Sequence, residues 1–166
     1  MDRTLTMNGV SKAYAMTGWR VGYAVGTAQV IAEMEKLMEH LVSGVTAVSQ
    51  RAALAAISGT QDCVSEMTAA YERRRSIVFE GLNAIDGVSC IMPESTFYAF
   101  PNVKSLGLSS WELAEHILSD QRVITIPGPI FGKNGEGYLR LSFAVEDEEL
   151  REAIDRIKRA IEGLRK

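Results

Sequence analysis

The sequence predicts a mixed α/β chain whose two parts differ in pattern. Three observations carry this prediction. A strand-like apolar run at residues 21–26 is followed by helical patterns, and a single long helix is indicated near the middle of the chain. Beyond that helix, short strands are mixed with helices until the end of the sequence.

The bulk composition is that of an ordinary globular protein, with 166 residues, 46% hydrophobic residues, 23% charged residues and a net charge of −3. This slight acidity argues against nucleic acid or an anionic membrane as a partner. No apolar run approaches the roughly 18 residues of a membrane-spanning helix, and the first residues lack the apolar core of a signal peptide. Cys63 and Cys90 have no metal-ligand spacing, so we expect no metal and a reduced, cytoplasmic protein.

The first part of the chain is predicted to contain two short strands and two helices. Residues 3–7 alternate between polar and apolar, and residues 21–26 are apolar on both faces, as in an interior strand covered by helices. Thr27 is the predicted N-cap of an amphipathic helix, and residues 48–57 form an alanine-rich helix that Gly59 ends. The core-facing stripe of the first helix is Ile31, Met34, Met38 and Leu41.

One long helix is predicted from about Gln61 to Ala84, because apolar residues recur there at near-heptad spacing. Such a helix would be about 35 Å long at about 1.5 Å per residue. Asp86 and Gly87 indicate a turn after it. We interpret the three arginines at 73–75 as solvated charges with one or two ion pairs.

The rest of the chain is predicted as short strands and two helices. The predicted strands are residues 88–92, 96–100, 122–126 and 138–144. A capping box of Ser109 and Glu112 opens a helix that runs through Leu118. Residues 132–137 are predicted to form a tight hairpin, because they lack the Gly-Lys-Ser/Thr ending and the following helix of a phosphate-binding loop.

The last predicted helix has a charge pattern that suits the helix dipole. Acidic residues at 146–149 stand at its start, and basic residues stand near its end. The basic residues are Lys158, Arg159, Arg165 and Lys166. The predicted buried stripe is Leu150, Ile154, Ile157, Ile161 and Leu164.

The loop between the first two predicted strands contains Lys12 and, eight positions later, Arg20. A lysine amine that is tuned by its surroundings attacks an aldehyde and forms a Schiff base. An arginine binds a phosphate through two parallel hydrogen bonds. These residue types therefore allow the binding of pyridoxal 5'-phosphate, although on spacing alone two solvated cations beside a turn is the simpler interpretation.

The full string at residues 11–23 is Ser-Lys-Ala-Tyr-Ala-Met-Thr-Gly-Trp-Arg-Val-Gly-Tyr. It closely resembles the lysine motif of the class I and II aminotransferases, which are aspartate aminotransferase-like, fold-type I pyridoxal phosphate enzymes. The resemblance implies that Lys12 forms the Schiff base and that Arg20 holds the cofactor phosphate, with Ser11 as a partial substitute for a further phosphate ligand. Many members have a serine three residues before the lysine, where this sequence has Gly9.

A second motif contains Arg140, which by pattern alone is an outward-facing arginine on a half-buried strand. The strings at residues 127–132 and 137–143 are Pro-Gly-Pro-Ile-Phe-Gly and Gly-Tyr-Leu-Arg-Leu-Ser-Phe. Together they are similar to the second motif of the same family, whose arginine binds the α-carboxylate of the substrate. Residues 96–101 resemble a third motif, in which Ser95 and Thr96 replace the usual Gly-Ala or Gly-Thr.

The resemblance covers nearly the whole chain but matches only the C-terminal half of a family member. It implies a C-terminal fragment of the fold-type I PLP-transferase fold. We expect a remnant of the large cofactor-binding domain at 1–60, an inter-domain helix at 61–85 and an α+β small domain at 86–166. The part that normally precedes the lysine supplies the aspartate on the pyridine nitrogen, so we expect an inactive fragment that holds cofactor poorly. Exposed strand edges of the large-domain remnant favour dimerisation or pairing with another chain, and we expect a homodimer.

The implied function is an aminotransferase of amino acid metabolism that moves an amino group between an amino acid and a 2-oxo acid. Lys12 would transfer a proton as base and acid, and Arg140 would hold the substrate carboxylate. The alternatives are another fold-type I enzyme (a C–S lyase, a synthase or a decarboxylating acyl transferase), the effector domain of a transcriptional regulator, and a degenerate domain with Lys12 as a surface amine. Residues 34–50 lack an arginine for dicarboxylate specificity, and we interpret His40 and His116 as structural.

Overall fold

A computed structural model describes residues 3–164. Arg165 and Lys166, predicted to add positive charge at the end of the last helix, lie outside the described residues, as do Met1 and Asp2. The chain divides after Met67 into two compact units. Within the described residues, every helix is too short or too polar to cross a membrane.

The first unit contains a two-stranded antiparallel sheet and two helices. Its complete elements are β1 (Thr6–Gly9), β2 (Gly22–Val25), α1 (Ala28–Val42) and α2 (Ala47–Ser58). The predicted alanine-rich helix is confirmed as α2, with Gly59 as its C-cap. Thr27 occupies the N-cap position of α1, but its side chain makes no capping hydrogen bond.

Three expectations for the first unit are wrong. The first strand covers Thr6–Gly9 rather than residues 3–7. The run at residues 21–26 is not an interior strand, since Val25 is 50% exposed, and the stripe on α1 is not a core, since Leu41 is 77% exposed. The physical reason is size, because two strands and two helices enclose too little volume to cover both faces of a strand.

The second unit contains a three-stranded sheet and three helical segments. Its elements are α3 (Asp62–Asn83), inside which the division after Met67 falls, β3 (Tyr98–Ala99), α4 (Ser110–Gln121), β4 (Ile126–Pro127), β5 (Leu139–Ser142) and α5 (Asp147–Gly163). The predicted long helix and last helix are confirmed as α3 and α5. β5 is the central strand and runs antiparallel to β3 on one side and to β4 on the other.

The core of the second unit fixes the position of β5. Its largest fully buried side chains are Phe143, Leu82, Leu113, Ile117, Leu139 and Ile161, which come from the three helices and from β5 with its following residue. Each such side chain contributes roughly 1.5–3 kcal/mol to the free energy of unfolding. The alternation predicted for residues 138–144 is confirmed, because Leu139 and Phe143 are buried while Ser142 is exposed. β5 is therefore held by its apolar face.

The N-terminus of α4 is capped as the sequence predicts. The amide of Glu112 donates to Ser109 Oγ at 3.2 Å, and the amide of Ser109 donates to Glu112 Oε2 at 2.9 Å. The hydroxyl of Ser109 also donates to Glu112 Oε2 at 2.6 Å, and this hydrogen bond, followed by the one from the Ser109 amide, holds the pKa of the Glu112 carboxyl below its usual value. The helix continues past Leu118 to Gln121, where Arg122 ends it in the left-handed conformation with φ of 59°.

Several predicted strands of the second unit are shorter or missing. Residues 88–92 contribute an isolated bridge between Ser89 and Asn102, and Ile91 is 89% exposed. The strand predicted at 122–126 is reduced to Ile126–Pro127, because Arg122 is the residue that ends α4. The strand predicted at 96–100 is reduced to Tyr98–Ala99.

Two further expectations for this unit are corrected. The tight hairpin predicted at 132–137 is instead part of a longer connection between β4 and β5, with 3-10 turns at Gly128–Phe131 and Lys133–Gly135. Leu164 is 37% exposed and does not belong to the buried stripe, because α5 ends at Gly163.

Candidate functional site

Lys12 and Arg20 lie on one loop, residues 10–21, which joins the paired ends of β1 and β2. The amide of Val10 donates to the carbonyl of Val21 at 3.4 Å and closes the base of this loop. Val10 is fully buried, which ties the loop to the unit. The structure therefore places the predicted amine and the predicted phosphate ligand on the same closed segment.

The lysine side of the loop is held by local hydrogen bonds. The amide of Ala15 donates to the carbonyl of Lys12 at 3.2 Å, and Ala15 has φ of 53°. The hydroxyl of Tyr14 donates to Gln61 Oε1 at 2.9 Å. The side chain of Lys12 is exposed. Its backbone is thus fixed by hydrogen bonds, while the residue itself is exposed.

Arg20 has an unusual backbone conformation, with φ of 53° and ψ of 49° immediately after the 3-10 turn Thr17–Trp19. For a residue other than glycine this conformation costs about 1–2 kcal/mol. Such strain persists where the surrounding structure determines it, and it is concentrated at functional sites. The exposed guanidinium donates from Nη1 to the carbonyl of Thr17 at 3.0 Å, and an arginine has about five N–H donors in all.

Gly9, which stands where the lysine motif has a serine, lies close to the neighbouring strand. A Cβ atom at Gly9 would lie 3.1 Å from the carbonyl oxygen of Val21 on the neighbouring strand. This distance is tighter than ordinary van der Waals contact, so glycine suits the approach of the two strands here. Ser11 is half-buried at the start of the loop.

Arg140 belongs to the second unit, on the central strand β5, and is half-buried. Its guanidinium carbon lies 4.4 Å from the centre of the Tyr98 ring and 4.2 Å from the centre of the Phe131 ring. Both distances are typical of cation–π contacts. The residue is therefore not the simple solvated arginine that the strand pattern alone suggests.

The two aromatic neighbours of Arg140 were not identified from the sequence. Tyr98 lies in the aromatic-rich run at 96–100, and Phe131 lies within the string at 127–132, so both stood in segments that the motifs had already marked. Strand order is what brings them to Arg140, because β5 lies between β3 and β4. That order is not readable from residue spacing.

The remaining titratable groups give little sign of other chemistry. Among residues 3–164, no three His, Cys, Asp or Glu side chains are grouped so that they could hold a metal ion. Nε2 of His116 lies 3.0 Å from the carbonyl oxygen of Ala160, a contact between α4 and α5. This contact supports the structural interpretation of His116.

Comparison with known proteins decides the family. The profile described as aminotransferase class I and II matches residues 1–157. The chain belongs to this family. The aspartate aminotransferase of Rhizobium meliloti is 42% identical over 174 aligned positions, which cover 98% of this chain and 42% of the relative. The putative aminotransferase YugH of Bacillus subtilis is 42% identical over 158 positions, covering 95% of this chain and 41% of the relative.

Solved structures of aminotransferases show the same fold. The aspartate aminotransferase from Rhizobium meliloti aligns with a TM-score of 0.91 at 39% identity, covering 97% of this chain and 42% of that one. The aromatic aminotransferase from Pyrococcus horikoshii aligns with a TM-score of 0.92 at 38% identity, covering 98% of this chain and 44% of that one. The predicted α/β, fold-type I architecture is confirmed, and the chain spans about two fifths of the length of the relatives it matches.

Members of this family use pyridoxal phosphate. The chemistry of the side chains in the loop at residues 10–21 fits two groups of that cofactor, its aldehyde and its phosphate. The exposed amine of Lys12 matches the aldehyde, and the exposed guanidinium of Arg20 matches the phosphate.

Proposed function

We propose that this chain supplies the lysine-bearing loop and the carboxylate-binding arginine of a pyridoxal phosphate-dependent aminotransferase. The reaction would move an amino group between an amino acid and a 2-oxo acid. The observation that carries the proposal is the closed loop between β1 and β2, which presents Lys12 and Arg20 together in a chain of this family.

Lys12 is proposed to act through its Nζ atom. When bound, pyridoxal phosphate supplies an aldehyde that joins an amine and a ring that delocalises the negative charge left on the substrate carbon. Lys12 Nζ would hold the aldehyde end of the cofactor. When free, Nζ would accept the proton from the substrate Cα as a general base and donate it to the cofactor carbon as a general acid.

Two anions require two arginines in this proposal. Arg20 binds the phosphate, and Ser11, half-buried at the start of the same loop, is proposed as a further phosphate ligand. Arg140 binds the α-carboxylate of the amino acid and of the 2-oxo acid. A guanidinium suits both tasks because its N–H groups match the geometry of phosphate and carboxylate oxygens.

The proposed organisation of the chain follows that of its relatives. Residues 1–60 would belong to the large cofactor-binding domain, residues 61–85 to an inter-domain helix and residues 86–166 to a small domain. We propose that the 166-residue chain alone is inactive, since it spans 42% of the aspartate aminotransferase of Rhizobium meliloti. We also propose that the complete enzyme is a cytoplasmic homodimer, and the exposed apolar side chains of the first unit, such as Val25, support association.

The experiment that tests this proposal maps the amine that joins the cofactor. The chain is incubated with pyridoxal phosphate, reduced with borohydride, digested and analysed by mass spectrometry. We expect modification at Lys12 and its loss in Lys12→Ala, whereas Lys36→Ala, which removes an exposed lysine on α1, should leave it unchanged. Equal labelling of Lys12 and Lys36 would contradict the assignment of Lys12. Transamination by the 166-residue chain would contradict its proposed inactivity.

A further inference from the structure

Arg140 is flanked by two aromatic rings that come from opposite edges of its strand. Tyr98 is on β3, which pairs with one edge of β5, and Phe131 follows β4, which pairs with the other edge. The ring centres lie 4.4 Å and 4.2 Å from the guanidinium carbon. At these distances both rings are in contact with the guanidinium group.

Each of these two rings is itself held by a neighbouring ring. Tyr98 packs on Phe97 with ring centres 4.6 Å apart, and Phe131 meets Phe100 edge to face at 6.2 Å. Phe100 is in turn stacked on Tyr138 at 5.3 Å with an angle of 7° between the ring planes. The two rings that touch Arg140 are therefore fixed by packing and do not depend on a bound molecule for their position.

We infer that Tyr98 and Phe131 are positioning residues, which hold the guanidinium of Arg140 in one plane for a carboxylate. This inference rests on the proposed function, in which Arg140 binds the substrate carboxylate. Cation–π contacts engage the flat face of a guanidinium, while hydrogen bonds to a carboxylate leave from its edge. Both kinds of contact can therefore be made at once.

The benefit of such an arrangement is a smaller loss of conformational freedom on binding. A free arginine side chain has many rotamers, and fixing them costs free energy when the substrate arrives. Rings that order the guanidinium beforehand remove part of that cost. The carboxylate is bound equally in the ground state and in the transition state, so the effect should fall on KM while kcat stays nearly unchanged.

The kinetic test uses the longer polypeptide that the proposed function requires, with an amino acid and a 2-oxo acid as substrates. For Tyr98→Leu and for Phe131→Leu we expect KM for both substrates to rise about fivefold, because each change removes one cation–π contact. Tyr98→Phe and Phe131→Tyr keep a ring and should restore KM. The matched control is Trp111→Leu, which removes an exposed ring on α4 and should leave KM at the parent value.

A second measurement reports the position of Arg140 without any turnover. In the 166-residue chain, rings that lie 4.2 Å and 4.4 Å from the guanidinium carbon should move the NMR signals of the Arg140 side chain by ring currents. The Leu variants should return those signals toward the values of a solvated arginine, whereas the Phe and Tyr variants should not. Since Phe131 is 49% exposed, its replacement should leave the fold intact, which the dispersion of the same spectra verifies.

The outcomes separate this inference from the proposed function. If Arg140→Lys raises KM while the two Leu variants keep the parent KM and side-chain signals, the positioning role is overturned and the proposed function stands. If Arg140→Lys itself leaves KM unchanged, the carboxylate role of Arg140 fails, and the positioning role fails with it.

Discussion

At the scale of single residues, the backbones of Gly128 and Gly135 approach each other closely in the second unit. A Cβ atom at either position would overlap the carbonyl oxygen of the other. The amide of Gly128 also donates to the carbonyl of Tyr138 at 2.9 Å. This contact packs the two 3-10 turns before β5 against each other, and the first of them ends at Phe131, one of the rings on Arg140.

We therefore expect Gly128→Ala to lower the free energy of unfolding by about 1–3 kcal/mol, the usual cost of inserting a methyl group where no space exists. Gly163→Ala is the matched control, because a Cβ atom there meets nothing within 4 Å. Its effect should stay within about 0.5 kcal/mol. Urea denaturation followed by circular dichroism measures both, and equal midpoints for the two variants would contradict the overlap.

At the scale of elements, α5 is joined to α3 by ion pairs at its first residue. Nε of Arg73 lies 3.1 Å from the carboxylate of Asp147, and Nε of Arg74 lies 2.9 Å from the same carboxylate. Nη2 of Arg74 also lies 3.0 Å from the carboxylate of Glu146. Ion pairs were expected here, but the three arginines make more than the one or two predicted, since Arg75 also pairs with Glu72 at 3.6 Å. Full solvation is wrong for Arg74, whose side chain is 13% exposed. The hydrogen bond from Arg74, followed by that from Arg73, holds the pKa of the Asp147 carboxyl below its usual value of 3.8.

The lowered pKa of Asp147 predicts how stability depends on pH. A carboxyl whose pKa is depressed by folding stabilises the folded state above its unfolded pKa, near 3.8, and loses this effect as the pH falls through the folded pKa. Asp147→Asn should therefore lower the urea midpoint by the same amount at pH 7 and at pH 5, and by less at pH 3. Glu148→Gln removes a charge from the same first turn of α5 and should lower the urea midpoint at pH 7 by less than Asp147→Asn does. A difference between parent and Asp147→Asn that grows toward pH 3 would contradict this sign.

The elements also show which local signals suffice for prediction. The capping box of Ser109 and the apolar stripe of α5 are complete within one stretch of sequence, so both were predicted, apart from Leu164 at the end of the stripe. The strand predicted at 88–92 was wrong, because apolar β-type residues form a ladder only where a partner strand runs beside them. The strand predicted at 122–126 was too long, because Arg122 ends α4. The lysine loop was predicted for the same reason as the helices, since Lys12 and Arg20 share one segment. The two rings on Arg140 come from two segments, both separate from its own strand, and were missed.

At the scale of the whole molecule, burial is distributed unequally between the two units. The contiguous apolar core runs from Val78 to Ile161 and lies entirely in the second unit. Among the described residues of the first unit, the buried apolar side chains are Val10 and Ala53. Large apolar side chains such as Leu41, at 77% exposure, remain open to solvent there. Because apolar burial is the main stabilising contribution to folding, we expect the two units to differ in local stability.

Hydrogen exchange followed by mass spectrometry measures this difference directly. Amides in the interior of α5 should exchange slowest, because Ile154 and Ile157 anchor that helix in the core, whereas amides of α1, which has no buried residue in the structure, should exchange much faster. The chain unfolded in denaturant supplies the intrinsic exchange rates, so that the two helices are compared as protection factors. Equal protection in α1 and α5 would show that the first unit is stabilised by contacts other than its own burial. Faster exchange in α5 would contradict the assignment of the core itself.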